Sequence, residues 1–321
     1  MSKKKHLTPV LCGLLSIVMI AGCTSKPQKP ATKKTFKTAD VPSIYADPQA
    51  RAEYLAMHYW DFFDFTDTAF VGSSADVTEQ AIVNYLSVIP YASYAVASNG
   101  LKQTMNLSEK NPAIYAFFQT QMEHYLFDIG SNMRNDEFYI PVLEQIIASR
   151  SINIERKTRP AAILEEVKKN RPGTEAANIH YNTVSGAKGS LHNIPSDFTI
   201  VMFHNLDCGN CKEIIKRIDA STVIKTLQGQ KRVTVLGIYP GTDEEGWKKH
   251  EKEMPPSWIS GFDPNHEISE KGTYILRVVP TLYLIDKKHS VIIKDAAFDY
   301  VEYYLNSILN PAGTPQPGAG R

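Results

Sequence analysis

The chain has no excess of charge of either sign, since 35 lysines and arginines face 34 aspartates and glutamates. A nucleic-acid-binding protein shows a basic excess, so this balance argues against nucleic acid as a partner. No repeat of roughly 20–50 residues is apparent, which argues against repeat architectures. The apolar run at residues 10–20 is shorter than the roughly 20 residues of a typical membrane-spanning helix. The length of 321 residues then favours two globular domains.

The N-terminus has the pattern of an export signal. Three lysines at positions 3–5 precede the apolar run, and the small residues Ala21 and Gly22 stand directly before Cys23. This arrangement closely resembles the bacterial lipobox, which implies that residues 1–22 are removed and that Cys23 is lipidated and labelled by palmitate. By analogy, Thr24 implies sorting to the outer membrane, facing the periplasm. An ordinary secretory signal with an incidental cysteine is the alternative.

Cysteine is scarce, and its four positions separate by role. Cys12 lies in the apolar run that export would remove, and Cys23 would carry the lipid. Cys208 and Cys211 are then the two that remain for redox chemistry. A single close pair argues against a small scaffold held together by several disulfides.

Composition changes along the chain predict five segments. The signal peptide is followed by a stretch rich in Lys, Pro, Thr and Ser, which is typical of a flexible tether. Helical periodicity comes next, then alternating strands and helices, and then a Pro/Gly-rich end that we expect to be disordered. The segments are a signal peptide at 1–22, a tether at 23–43, an α-helical domain at 44–170, an α/β domain at 171–310 and a tail at 311–321.

Capping residues and apolar spacing place the elements of both halves. Asp47 before Pro48 predicts the first helix. Four more helices are expected in this half, at 78–89, from 112, at 137–148 and at 159–169. In the second half we expect strands at 179–183, 198–203, 232–239, 281–285 and 291–294, with helices from 211, at 244–253 and at 300–309. Strands and helices that alternate and end in a hairpin and a helix predict an α/β sandwich with a mixed sheet.

The pair Cys208 and Cys211 follows a predicted buried strand and begins a helix. The free N–H groups and dipole of a helix start stabilise a thiolate, so Cys208 is the predicted nucleophile and Cys211 the resolving thiol. Gly209 and Asn210 between them are expected to allow the tight turn and to tune the redox potential. The alternatives are two incidental cysteines or half of a zinc site completed by His204 and His266, although structural zinc prefers four clustered ligands.

Val279, Pro280 and Thr281 precede another apolar strand, about 70 residues after the pair. With the C-x-x-C, this segment resembles the thioredoxin superfamily, in which a cis-proline loop faces the redox pair and binds the substrate. Pro172 to Ala176, followed by Ser190-Leu191, is similar to the TlpA/ResA branch of membrane-tethered thioredoxin-like proteins. The resemblance covers roughly residues 172–310 and implies a thioredoxin-like fold.

The helical half resembles the N-terminal domain of Bacteroidetes-type lipoproteins that carry such a module, through the aromatic run at residues 58–64. Trp60 in that run is expected to be a core aromatic. Three positions depart from the thioredoxin pattern. Asp207 replaces an aromatic before the first cysteine and opposes thiolate formation, Met202 replaces the buried acid, and Ile214 replaces the TlpA/ResA glutamate, with Glu213 one residue away.

These features predict a membrane-anchored thiol-disulfide oxidoreductase that acts as a reductant on extracytoplasmic proteins. It would need an upstream thiol donor, either in the membrane or soluble, and no cofactor or metal. A peroxiredoxin-like peroxidase is one alternative, but Asn205 stands where that family has threonine. A non-catalytic lipoprotein that binds partners and retains the scaffold is the other, although both cysteines are present.

The lipobox resemblance generates a direct test. Radiolabelled palmitate should enter the wild-type protein expressed in a bacterial host, and Cys23→Ala should remove the label because the acylated thiol is gone. Equal labelling of the two proteins would show that the cysteine is incidental. Cys12→Ala serves as the control and should leave labelling unchanged.

Overall fold

The computed structural model describes residues 33–311, and those from Lys34 onward form one compact unit. The predicted signal peptide, Cys23, the tether before residue 33 and the tail after residue 311 lie outside the described residues. None of the described helices is both long enough and apolar enough to cross a bilayer.

Six α-helices make up the first half of the described chain. Their bounds are α1 Pro48–His58, α2 Ala75–Val88, α3 Tyr94–Ser108, α4 Pro112–Leu126, α5 Asp136–Ala148 and α6 Glu155–Val167. The predicted start of α1 is confirmed, since the Asp47 side chain accepts a hydrogen bond from the Ala50 N–H at 3.0 Å. Asn111 caps α4 and Asn135 caps α5 in the same way.

Helix α3 was missing from the prediction, because its sequence is rich in Ser, Asn, Gln and Gly. Its buried residues recur every three to four positions, but most of them are small or polar. Gly100 explains why: a Cβ there would lie 2.2 Å from the Ala56 carbonyl oxygen and 2.8 Å from the Tyr85 hydroxyl. The helix therefore packs closely on α1 through its backbone, and a pattern of large apolar residues does not develop.

An aromatic core fills this half. Trp60 is 4% exposed and its ring contacts those of Phe63, Tyr85 and Phe118 at 5.2–5.6 Å, as expected of a core aromatic. Phe36 packs against the same cluster, with its ring centroid 5.4 Å from that of Trp60. The prediction of a flexible tether is therefore wrong for the part that contains Phe36, because this large ring is partly buried against the aromatic core.

Polar contacts fix the same segment. The Lys34 N–H donates to the Ser74 hydroxyl at 2.8 Å, and the Lys34 ammonium lies 2.7 Å from an Asp67 carboxylate oxygen. Ala39 is buried as well. Residues 34–39 thus form a folded arm against the helices.

The second half is a seven-stranded mixed sheet with helices on its faces, which confirms the predicted fold class. The strands are β1 His180–Asn182, β2 Lys188–Ser190, β3 Phe198–Phe203, β4 Val233–Tyr239, β5 Ile259–Phe262, β6 Thr281–Asp286 and β7 Val291–Lys294, in the order β2-β1-β5-β4-β3-β6-β7. The helices are α7 Gly209–Ala220, α8 Thr222–Gly229, α9 Glu244–His250 and α10 Phe298–Leu309. Strand β3 is central, parallel to β4 and antiparallel to β6.

Three short elements of this half, β2, α8 and β5, were not predicted. Strand β5 has four residues, and a Ser-Gly pair interrupts its apolar pattern. A Cβ on Gly261 would lie 2.7 Å from the Ile238 side chain, so the close approach of neighbouring side chains requires glycine at this position. Short elements like these are held by their neighbours in the sheet more than by their own propensity.

The tight crossing of α1 and α3 yields a stability prediction. Gly100→Ala gains helix propensity of about 1 kcal/mol but must push α1 away and break the buried Tyr85–Ala56 hydrogen bond, so we expect a net loss of about 2 kcal/mol. Chemical denaturation of the full chain measures it. Gly229→Ala, also helical but with open space around its Cβ, should be neutral or stabilising. Equal effects of the two variants would contradict the close-packing account.

Candidate functional site

The register of the central strands brings the two predicted site segments together. Phe203, the last residue of β3, pairs with Thr281, the first residue of β6. The chain leaving β3 reaches Cys208 and the start of α7, while the chain entering β6 passes through Val279 and Pro280. The Cys208 sulfur consequently lies 3.9 Å from the Val279 carbonyl oxygen, although 71 residues separate them.

Cys208 and Cys211 form a disulfide, with Cα atoms 5.2 Å apart. Cys208 is the N-cap of α7, and its sulfur accepts a hydrogen bond from the Cys211 N–H at 3.1 Å. That same donor, with the helix dipole, stabilises a thiolate on Cys208 after reduction. Cys208 is partly exposed, whereas Cys211 is 1% exposed among apolar side chains, where the neutral thiol is favoured.

The expected roles of Gly209 and Asn210 in the turn are only partly met. Both are exposed and lie in the first turn of α7, and the space around a Gly209 Cβ is open. Neither adopts a positive φ. The left-handed residue of the turn is Asp207, with φ of 55°, a conformation that aspartate tolerates better than most residues. The sharp change of direction therefore occurs before Cys208.

Charges around the turn are paired. The exposed Asp207 carboxylate lies 3.4 Å from the His250 Nε2 atom, and the Lys212 ammonium lies 3.0 Å from a Glu253 carboxylate oxygen. The pKa of His250 is raised, first because its Nδ1–H donates to the Gly246 carbonyl and then because Asp207 is near. His250 was not predicted from the sequence, since only the fold brings α9 beside the redox turn.

The cis-proline loop has the predicted geometry. The Val279–Pro280 peptide bond is cis, and Val278 before it is exposed. Thr281 is 2% exposed, and its hydroxyl donates to the Val278 carbonyl, so its side chain holds the loop and does not reach a substrate. Backbone and apolar side chains at 278–280 are the groups that face outward beside Cys208.

The two acids of the thioredoxin pattern are missing here, and the residues at and beside their positions do not replace them. Met202 is fully buried, Ile214 packs on the core beside Cys211, and Glu213 is exposed. A cavity of about 260 Å³ lies next to Cys211 instead. Three of its lining residues have buried polar atoms without a hydrogen-bond partner among the described residues: His204, Trp247 and Glu251.

Apart from Cys211 itself, His204 is the most deeply buried ionisable group that lines this cavity. It follows β3 directly, is 4% exposed, and its Nε2 atom lacks a hydrogen-bond partner in the described part of the chain. Burial lowers the pKa of His204 to about 4, so its ring is neutral near pH 7. The sequence offered His204 only as a zinc ligand, and the fold places it in the wall of the cavity beside Cys211.

Within residues 33–311, one group of side chains has the composition of a metal site, and neither Cys208 nor Cys211 belongs to it. It consists of Glu175, His192 and His289. The two imidazole rings stack 4.0 Å apart at an interplanar angle of 4°, and each Nε2 donates to a backbone carbonyl. Because the rings lie in parallel planes, their remaining lone pairs do not converge on one ion. His204 and His266 are not grouped with the cysteines as a zinc site requires.

A C-x-x-C disulfide at a helix start, opposite a cis-proline loop on a central mixed sheet, defines a thioredoxin-like protein. A thioredoxin-like protein of known structure from Bacteroides caccae is 38% identical, with a TM-score of 0.81 over 86% of this chain and 99% of that one. The present chain therefore belongs to this Bacteroidetes family of thioredoxin-like proteins.

Other comparisons cover single halves. The C-terminal domain of an uncharacterized protein from Bacteroides fragilis is 41% identical over 43% of this chain and 98% of its own, with a TM-score of 0.42. The thioredoxin domain of a thiol-disulfide oxidoreductase from Bacteroides vulgatus is 18% identical over 44% of this chain and 99% of its own, with a TM-score of 0.39. Residues 21–170 match a domain of unknown function, DUF5106. No curated protein matches the chain.

The burial of His204 generates a pH prediction. Between pH 6.5 and 4 the unfolded chain binds a proton at this ring and the folded chain does not, so the free energy of unfolding falls as the pH drops through that window. His204→Leu should remove up to about 3 kcal/mol of this loss, measured by urea denaturation between pH 7 and pH 4. His250→Gln should act in the opposite direction, because the raised pKa of His250 stabilises the folded state at low pH. Parallel pH profiles for wild type and His204→Leu would refute the assignment.

Proposed function

We propose that the protein is a thiol-disulfide oxidoreductase that acts on disulfides of other proteins. The observation that carries the proposal is the position of the Cys208 sulfur, which meets both the Cys211 N–H at 3.1 Å and the Val279 carbonyl at 3.9 Å. The first contact favours an anionic sulfur, and the second places it beside backbone that a substrate can reach. A buried structural disulfide would need neither feature.

The proposed reaction begins with the reduced pair. The Cys208 thiolate attacks one sulfur of a substrate disulfide, and the other substrate sulfur leaves as a thiolate that takes a proton from solvent. Cys211 then loses its proton and attacks the Cys208 sulfur within the same molecule, with the advantage of proximity. This step releases the second substrate thiol, so the substrate is reduced and the enzyme returns to the disulfide form.

The substrate class follows from the surface beside Cys208. Val278, two residues before the cis-proline, is 39% exposed and offers an apolar contact to a substrate. An extended polypeptide can lie along the backbone of residues 278–280 and place its own disulfide against Cys208. The proposed substrates are therefore proteins with accessible disulfides, bound through main-chain contacts and an apolar side chain.

We further propose reduction as the working direction and a lipid anchor at Cys23 on the periplasmic side of the outer membrane. Both rest on the sequence, through the resemblance to tethered TlpA/ResA proteins and to the lipobox. Each turnover leaves Cys208 and Cys211 oxidised, so an upstream thiol donor, in the membrane or soluble, has to reduce them. No described contact favours a peroxidase instead: Asn205 is exposed, and its side chain accepts from the Leu206 N–H.

The division of labour between the cysteines predicts a trapping result. In Cys211→Ser the mixed disulfide cannot be resolved, so the variant should accumulate covalent adducts with oxidised insulin that dithiothreitol dissolves. Cys208→Ser should form few adducts, because Cys211 is buried. Non-reducing gels of the full chain with and without dithiothreitol measure both.

Alkylation of the reduced wild-type protein gives an independent check. Iodoacetamide at mildly acidic pH should modify Cys208 first, since a thiolate at the helix start reacts while a buried thiol does not. Preferential labelling of Cys211, or adducts only with Cys208→Ser, would reverse the assignment. Absence of adducts and of insulin reduction by the wild type would overturn the proposed function.

A further inference from the structure

A cluster of buried charges lies between the helices and the sheet. Asp136 from the first turn of α5 meets Arg277 and Lys294, while Asp295 meets Arg134. The side chains are only 5–21% exposed. Such burial is costly unless every charge keeps its partner, so this cluster constrains the residues that carry it.

Arg277 is the member closest to the redox site. Its Nη2 atom lies 2.9 Å and 3.0 Å from the two Asp136 carboxylate oxygens, and its Nη1 atom lies 3.7 Å from Asp295. The guanidinium carbon stands 4.4 Å over the Phe127 ring, at the end of α4. Carboxylate and ring together fix both the position and the plane of the guanidinium group.

Arg277 directly precedes the cis-proline loop, so anchoring its side chain also anchors the start of that loop. Val278, Val279 and Pro280 follow Arg277 directly, and Thr281 then enters β6. The loop is thus held at one end by β6 and by the Thr281–Val278 hydrogen bond, and at the other by contacts with the helical half. Among the described residues, Asp295 after β7 is the one group outside the helical half that forms an ion pair with the Arg277 side chain.

We propose that the helical half positions the substrate-binding loop, and that Asp136 and Phe127 act as positioning residues through Arg277. This inference rests on the proposed function for its meaning, and it assigns to the helices a role in the redox site of the other half. Neither residue touches the substrate. Loss of the Asp136 charge releases Arg277, so residues 278–280 move away from the arrangement in which their backbone meets a substrate.

Two measurements on the full chain test the proposal. Hydrogen–deuterium exchange of the peptide covering residues 276–282 reports the loop, and insulin reduction with dithiothreitol as donor reports its use. For Asp136→Asn we expect faster exchange in that peptide and a KM for insulin raised about tenfold, with kcat within about twofold of wild type. Alkylation of Cys208 by iodoacetamide should be unchanged, because Cys208 and its helix are untouched.

Glu137→Gln is the matched control. Glu137 adjoins Asp136 in the same helical turn and forms an ion pair with Arg171, with an N–O distance of 2.6 Å; among the described residues its carboxylate hydrogen bonds go to Arg171 and not to the loop. The Glu137→Gln variant should have a lower free energy of unfolding, without a change in hydrogen–deuterium exchange of the peptide 276–282 or in the KM for insulin. If Asp136→Asn fails to fold, Phe127→Leu removes the aromatic face under Arg277, together with the ring contact to Tyr139, and should produce the same changes in smaller size.

The outcomes separate this proposal from the function on which it rests. Unchanged exchange and KM in a folded Asp136→Asn, or equal changes in Glu137→Gln, would overturn the positioning role. If Asp136→Asn shows faster exchange but the wild type does not reduce insulin, the helical half still anchors the loop and the proposed function is overturned.

Discussion

The antiparallel register between β3 and β6 is the constraint on which the site depends. It sets Phe203 opposite Thr281, and so the loop after one strand and the loop before the other emerge at the same edge of the sheet. Cys208 and Val279 meet there, with the Cys208 sulfur 3.9 Å from the Val279 carbonyl oxygen. Both strands are buried on both faces, and a slip of one residue would move every side chain of the shifted strand into the core on the opposite face, so the packing of the two cores fixes the register.

The fold places the two chemically equal cysteine sulfurs in different environments. Cys208 caps α7 and is partly exposed, while Cys211 lies one helical turn further in, among apolar side chains. This asymmetry supports the proposed division into an attacking and a resolving thiol. Positions 202 and 214, where the thioredoxin pattern has acids, carry Met and Ile, and a cavity lined in part by His204 occupies the space beside Cys211.

The interactions inside the helical half differ from those that join it to the sheet. The helices pack through an aromatic cluster and a close backbone crossing at Gly100, whereas the junction with the sheet contains charged groups. Burial raises the pKa of Asp295 and lowers that of Lys294, so both charges depend on their partners to remain ionised. A junction of this kind specifies one arrangement more than it adds stability.

The sequence by itself determined the features that arise from neighbours along the chain. Asp47-Pro48 marked a helix start, the alternation after residue 171 indicated a mixed sheet, and C-x-x-C with Val279-Pro280 marked the site, because caps, periodicity and short motifs act locally. Tertiary structure alone decided α3, the packing of Phe36, the left-handed Asp207, and the placement of His204, His250 and Arg277. Each of these depends on contacts between residues far apart in sequence, and no local pattern encodes which distant side chain will be there.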